Sequence, residues 1–343
     1  MKSILITGGS GFFAQGLVKH LLDHNLCQRI CIYSRGEFAQ AQMRDKFKND
    51  ERLRFFIGDC RDIWRLTRAM AGCDLVVHAA ALKRVEVGER DAEEMVKTNV
   101  TGAMHVIEAA RAATLFPSIE DTSPSGMGNT AWTVRRVIFL SSDKACAPLN
   151  CYGATKLVAE KLFLAANQAR GQGEPLFSLC RYGNIAGSTG SVIPTWWAMA
   201  KHQKATCEQL SVPNNCTVNL TNPDATRFWM SRQEAVDMVL WTAENMRGGE
   251  MVVPSLPAYR LGDLAEAMNL KANITGMGPG EKLHEHMISG YESQCFYRYQ
   301  DYWVANGPGD KVIGTEQRKS AFSSHHARRM SVEELRQKLG EIE

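Results

Sequence analysis

The sequence has no run approaching the roughly 18 consecutive apolar residues of a membrane helix, and this excludes a helical membrane span from the expectations. Its ten cysteines include no CxxC pair and no zinc-like spacing, so in a chain of 343 residues they read as reduced thiols. A charge excess is also lacking. Lys plus Arg number 40 and Asp plus Glu 37, a formal +3 that does not predict a nucleic-acid partner. Met1-Lys2-Ser3 leads straight into an apolar strand pattern rather than a secretory leader, so a cytoplasmic protein with no membrane partner is expected. In that setting the sequons at Asn215, Asn219 and Asn273 are chance matches. No internal repeat or low-complexity tract is evident, and no His/Cys/Asp/Glu spacing predicts a metal.

What is present is ordinary globular usage, 44% apolar and 22% charged, arranged in an alternating rhythm. Short β-type runs at Ser3–Thr7, Ile30–Ser34, Leu53–Ile57, Leu75–Ala80, Val137–Ser141 and Phe177–Tyr182 are separated by helical patterns. This rhythm predicts an α/β fold, a doubly wound parallel sheet of Rossmann type, with chemistry at the carboxyl ends of the strands. Residues 1–183 are expected to form the dinucleotide-binding domain, with a Pro/Ser/Gly-rich surface insertion at 114–135. Residues 184–343 are expected to form a smaller substrate lobe that returns segments to the first domain. Helices are predicted near Gln233–Asn245, Leu261–Met268 and Val332–Leu339, and a loop or hairpin at Val212–Asp224.

The first strand ends in Thr7-Gly8-Gly9-Ser10-Gly11-Phe12-Phe13-Ala14 and runs into Leu17, Val18, Leu21 and Leu22 at helical spacing. Glycines between a strand and a helix allow close approach of a pyrophosphate to the helix N-terminus. The second strand ends in Tyr33-Ser34-Arg35 where an NAD site usually offers an acid, and a guanidinium suits a 2′-phosphate, so NADP is predicted as cofactor, with Glu37 as the NAD alternative. Asp59 is expected near the adenine or as a helix N-cap. Tyr152 and Lys156, four residues apart, share one helix face, where an ammonium is expected to lower the phenol pKa. Ser142, Asp143 and Lys144 precede them at a strand end. Lys83 follows the fourth strand and is read as a site or a loop lysine. Asn99 is read as either a relay residue or a buried helix-kink residue. Arg181 and Arg227 are candidate diphosphate forks. His284 and His286, two apart on an expected helix, do not face each other and predict no metal. Trp196, Trp197 and Trp229 read as core or dimer packing.

These residues together make the chain resemble the extended short-chain dehydrogenase/reductases, and more narrowly the configuration-inverting UDP-N-acetylglucosamine 4,6-dehydratases. The resemblance runs through Ile6–Phe13, Tyr33–Arg35, Phe55–Asp62, His78–Lys83, Lys97–Asn99, Ser141–Lys156, Arg181–Asn184, Gly190–Pro194, Thr226–Trp229, Pro279–Glu285 and Phe322–His325. Asp143-Lys144 discriminates most. The resemblance implies Ser142, Asp143, Lys144, Tyr152 and Lys156 as catalytic residues. For the cofactor, which is NADP recycled within each turnover, it implies Thr7, Gly8, Gly11, Phe12, Phe13, Ser34, Arg35, Asp59, Ala80, Lys83, Tyr152 and Lys156. For a UDP-sugar it implies Lys83, Asn184, Val192, Arg181, Arg227 and Glu281, in a homo-oligomer of the pseudaminic acid pathway type. Three departures stand out. Ser142 replaces a Thr, and Thr189 and Gly278 replace arginines, which leaves the nucleotide sugar open. A 4-epimerase, a retaining dehydratase and a non-catalytic NADP-binding sensor are the alternatives.

Overall fold

The computed structural model describes residues 1–115, 133–210, 216–306 and 314–342. Most of the expected insertion, residues 116–132, lies outside these, as does the first part of the 212–224 segment and its sequon at Asn215. Six strands carry the first half: β1 (Ser3–Thr7), β2 (Arg29–Ser34), β3 (Leu53–Ile57), β4 (Leu75–His78), β5 (Arg136–Leu140) and β6 (Leu176–Cys180). All are parallel, in the order β3-β2-β1-β4-β5-β6. Every residue of β1 and β4 is buried, as expected of strands covered on both faces by crossover helices. The order reverses between β1 and β4, and there the strand ends open a crevice.

The sheet continues past β6 with strands from the second half. Met251–Pro254 adds in parallel, and Tyr302–Ala305, Phe296–Tyr299 and Glu316–Gln317 then complete ten strands in antiparallel fashion. A separate core of Ile193, Trp196, Val218, Leu220, Trp229, Tyr259, Leu264 and Leu335 packs part of the second half, while Phe228, Val236, Met287 and Phe322 join the main core. Trp196 and Trp229 are buried in it, whereas Trp197 is exposed. The helices expected there form at Arg232–Asn245, Leu261–Ala267 and Val332–Gly340, the first closed by a Ser231/Glu234 capping box.

Three local expectations change. The fourth strand stops at His78 rather than Ala80, because after Ala79 the backbone turns so that the Ala80 N–H donates to Thr7 Oγ1 (3.3 Å) instead of to a neighbouring strand. Thr217–Leu220 pairs in parallel with Lys271–Ile274, so the described part of 212–224 is not a hairpin. His284–His286 is extended, not helical: Thr226 bridges His284, and His286–Ile288 pairs with Phe322–Ser323. Among the described residues no helix is long and apolar enough to cross a membrane.

Candidate active site

The crevice at the ends of β1, β2, β4 and β5 is a cleft of about 590 Å³. Gly8 turns its floor with φ +65°, and a Cβ there would lie 2.9 Å from the Ala80 backbone, so only glycine fits the crossing of β1 and β4. The Gly11 N–H donates to Gly8 O (2.8 Å), and helix Phe12–Asp23 starts at the cleft wall. Gly8, Gly11, Phe12, Phe13, Ser34, Arg35, Ala80 and Lys83 all line the cleft. Ser34 Oγ is held by Ser10 Oγ (3.0 Å) and Gln40 Nε2 (2.9 Å), and the Arg35 guanidinium is more than half exposed, 3.8 Å from Asp59.

Two expected cofactor residues sit behind this surface. Thr7 is fully buried, and its hydroxyl is shared by His78 Nδ1 (2.7 Å) and the Ala80 N–H; it supports the loop and does not line the cleft. Asp59 does not line the cleft. Its carboxylate is occupied by Arg61 through Nε (3.1 Å), Nη2 (2.8 Å) and the backbone N–H (2.9 Å), and against the effect of burial these bonds hold it below its ordinary range.

The far wall is built where β5 ends. Ser142 starts a short 3-10 turn, Asp143–Ala145, and its hydroxyl donates to Asp143 Oδ1 (2.9 Å). Helix Cys151–Gln168 follows, with Asn150 Oδ1 accepting from the Gly153 N–H (2.8 Å). Gly153 is required here: a Cβ would overlap the Lys144 carbonyl, so glycine lets the helix carrying Tyr152 and Lys156 lie against the turn carrying Asp143 and Lys144. Ser142, Asp143, Lys144, Tyr152 and Lys156 all face the cleft.

Lys144 Nζ lies 3.2 Å from Asp143 Oδ1 and 3.2 Å from Glu285 Oε1. Burial works against its ammonium, but the two carboxylates outweigh burial and raise its proton affinity. Burial raises the proton affinity of Asp143, with Lys144 opposing the rise and Glu285 adding to it. Burial also raises Tyr152, while the Ser142 hydroxyl and Lys144 ammonium lower it. The expected help from Lys156 is not what the geometry provides. Its Nζ donates to the Leu140 carbonyl (2.6 Å), and burial pulls its pKa down to about 7 against the pull of Glu160. For Lys83, burial, Arg84 and Lys144 all lower the ammonium.

Beyond Asn184 lies a second cavity of about 210 Å³. Four expected substrate residues, Asn184, Val192, Arg227 and Glu281, line it, and Asn184 also lines the main cleft. Asn184 Oδ1 is buried without a hydrogen-bond partner where the two meet. Arg181 is the exception and corrects the expectation. It is fully buried, its fork is occupied by Glu160 (2.6 and 2.8 Å) and Glu292 (3.0 and 3.1 Å), and it ties the sheet to the helix carrying Tyr152 and Lys156 rather than to a diphosphate. Asn99 resolves toward the kink: it sits in a π-helical turn, Lys97–Thr101, and clamps the Leu82 N–H (2.8 Å), Leu82 O (2.9 Å) and Thr155 Oγ1 (3.0 Å). The residue to which sequence reasoning gave no role is Glu285, which lies between His284 and His286 and ends the Pro279–Glu285 segment of the resemblance. Among the described residues no group of His, Cys, Asp or Glu is placed to hold a metal.

The chain matches the family model described as polysaccharide biosynthesis protein over residues 4–118 and 128–307. It is 40% identical over 317 residues to the UDP-N-acetylglucosamine 4,6-dehydratase (inverting) of Campylobacter jejuni, covering 92% of this chain and 85% of that one. It is 33% identical to the UDP-glucose 4-epimerase of Rickettsia felis, covering 98% and 95%. The crystal structure of Pen from Bacillus thuringiensis superposes with a TM-score of 0.85 at 30% identity, covering 99% of this chain and 98% of that one. With its glycine loop, its Ser142/Tyr152/Lys156 wall and its Asp143–Lys144 pair, the chain belongs to the polysaccharide biosynthesis protein family and, within it, to the nucleotide-sugar 4,6-dehydratases of the extended short-chain dehydrogenase/reductase class.

Proposed function

We propose that the protein is an NADP-dependent, C5-inverting UDP-N-acetylglucosamine 4,6-dehydratase acting in the cytoplasm, with residues 1–183 serving the dinucleotide and 184–343 the sugar nucleotide. The observation that carries this reading is the Asp143–Lys144 contact of 3.2 Å beside Tyr152, an acid and a base held together at the end of β5. A dinucleotide fits the main cleft, because the glycine loop and the N-terminus of helix Phe12–Asp23 both line it. Ser34 and Arg35 at its rim favour a 2′-phosphate over a bare ribose. Bound there, the nicotinamide supplies a reversible hydride acceptor.

The protein's own groups divide the proton work. Tyr152, with Ser142 beside it, takes the C4 hydroxyl proton of the sugar, and Lys156 braces the helix at β5. Asp143 gives its proton to the departing C6 hydroxyl while the Lys144 amine removes the C5 proton. Moving one proton along the Asp143–Lys144 contact turns carboxylate and ammonium into acid and amine, and the elimination restores the first state. The elimination thus leaves the pair as it began, and the proton that Tyr152 took balances the one returned to C5 when the 5,6-ene is reduced. Arg227, Asn184, Val192 and Glu281 hold the nucleotide in the second cavity, and Lys83 faces the sugar between them. Exposed Val96, Met104 and Val158, on helices beside the site, support a homo-oligomer.

A 4-epimerase is the second reading, favoured by the Rickettsia relative; it would use Tyr152 and need neither Asp143 nor Lys144. Turnover of UDP-N-acetylglucosamine in deuterated water separates the two. The first product is expected to carry solvent deuterium at C5, the L-configuration there, and at C6 any label that began at C4. A product altered only at C4 would make the protein an epimerase, and unchanged C5 configuration would make it a retaining dehydratase.

A further inference from the structure

Glu285 lies 141 positions after Lys144 in sequence, yet its carboxylate completes the acid–base pair. It is 3% exposed, and its backbone is fastened from two sides: its N–H donates to Ser324 Oγ (2.9 Å), and the Ser324 N–H donates to its carbonyl (2.8 Å). Ser324 Oγ is in turn bonded to Thr226 Oγ1 (2.7 Å), whose N–H donates to Leu283 O. So the hydrogen bonds to Ser324 fix the backbone at Glu285 and leave its carboxylate to the neighbouring cations. Glu285 Oε1 meets Lys144 Nζ at 3.2 Å and Arg227 Nε at 3.9 Å, and Oε2 lies 3.9 Å from Lys282 Nζ with no hydrogen bond of its own.

We infer that Glu285 is a positioning residue for the elimination: it pins the flexible Lys144 side chain against Asp143 and keeps one proton within the Asp143–Lys144 pair. Asp143 alone, the preceding residue, would leave Lys144 free to swing toward the substrate's phosphates. A second carboxylate 3.2 Å from Nζ removes that freedom. It also adds a negative charge beside both members of the pair, so each binds a proton more strongly and the pair stays singly protonated to higher pH. Arg227, Lys144 and Lys282 hold Glu285 ionised against burial. The other groups that act on Lys144 are Asp143, Arg227 and Tyr152, and Lys83 and Tyr259 feel its charge.

The inference rests on Lys144 as the elimination base, so the experiment follows Glu285→Gln, Glu285→Asp and Lys144→Ala in parallel. Each is loaded with NADP, mixed with UDP-N-acetylglucosamine and followed through one turnover by the absorbance of the reduced nicotinamide and by mass analysis of the sugar. In Glu285→Gln, C4 oxidation should stay within about twofold of the parent while elimination slows about tenfold or more, so reduced cofactor accumulates. The alkaline limb of the elimination rate should move to lower pH, because a lost negative charge lowers the proton affinity of the pair. Glu285→Asp should recover part of the rate and move the limb less. Elimination within about twofold of the parent, or oxidation and elimination falling together with the limb unmoved, overturns the inference. If Glu285→Gln does not fold, the same comparison is read in Glu285→Asp, where an unmoved limb and an unchanged ratio of oxidation to elimination overturn it. Normal elimination by Lys144→Ala would instead overturn the assignment of Lys144, and a stalled Lys144→Ala beside a normal Glu285→Gln would remove Glu285 alone.

Discussion

Two cations on adjacent strand ends are each gripped by two carboxylates, and the two groupings differ in what remains unsatisfied. Around Arg181, Glu160 and Glu292 form four bonds to the guanidinium, Ser141 Oγ donates to Glu160 (2.6 Å), and the Met287 carbonyl accepts a further N–H (2.9 Å). Around Lys144, one oxygen of Asp143 and one of Glu285 are buried without a hydrogen-bond partner. A fully bonded buried ion cluster acts as a brace. One with free acceptors facing a cleft still has room for a proton and a substrate, and such incompleteness marks functional sites. Arg and Lys are suited to the two tasks, a fixed planar fork for the brace and a point charge of adjustable proton affinity for the chemistry.

The comparison predicts its own largest effect at the brace. Arg181→Met strands the fully buried Glu160 and the partly exposed Glu292 and should cost about 3–5 kcal/mol of unfolding free energy, measured by denaturant titration. Its pH dependence gives a further check. Burial raises Glu292, but Arg181 and Ser289 outweigh it and bring the pKa down to about 2, so this group stabilises the fold above its ordinary carboxylate range and loses that contribution as the pH falls toward 2. The gap between Arg181→Met and the parent should therefore narrow on acidification. A gap that stays constant would mean that the brace does not act through charge.

Lys144→Ala should reverse the pattern. Turnover is expected to fall by about 10²–10⁴ while unfolding free energy changes by no more than about 1–2 kcal/mol, because Asp143 can take up a proton where Glu160 and Glu292 face a permanent cation. Stopped-flow kinetics and calorimetry on one preparation test both halves, and a stability loss as large as that of Arg181→Met would erase the distinction. The smallest effect belongs to the partly exposed cluster of Arg35, Asp59, Arg61 and Glu94. Arg35→Ala should change stability by less than about 1 kcal/mol yet weaken NADP(H) by about 1.5–3 kcal/mol, leaving NAD(H) nearly untouched in a titration. Equal loss of both dinucleotides would remove the 2′-phosphate assignment.

The strands were legible because fully buried parallel strands are written as short apolar runs, and β1 and β3 fall where the runs fall. Asp143, Lys144, Tyr152 and Lys156 were legible because one strand end and one helix turn bring them together locally. Glu285 was not, since its meeting with Lys144 depends on the bridge between Thr226 and His284 and on Ser324, which no local pattern encodes. Arg181 was misread because forked chemistry serves a phosphate and a carboxylate alike. Its partner had left a trace: Glu160 follows Tyr152 and Lys156 at four-residue steps, so a carboxylate lies on the buried face of that helix and requires a cation.

The pairing of β6 with Met251–Pro254 has a consequence for how the chain is made. Until residues 251–254 have been synthesised, β6 is an open edge carrying Phe177 and Leu179, apolar side chains on a template ready to recruit any extended segment. A fragment ending after the sixth strand would keep that edge indefinitely and should aggregate rather than fold as a smaller dinucleotide binder. The nascent protein meets the same hazard only transiently, which makes the second half of the chain the protector of the first during synthesis as well as its catalytic complement.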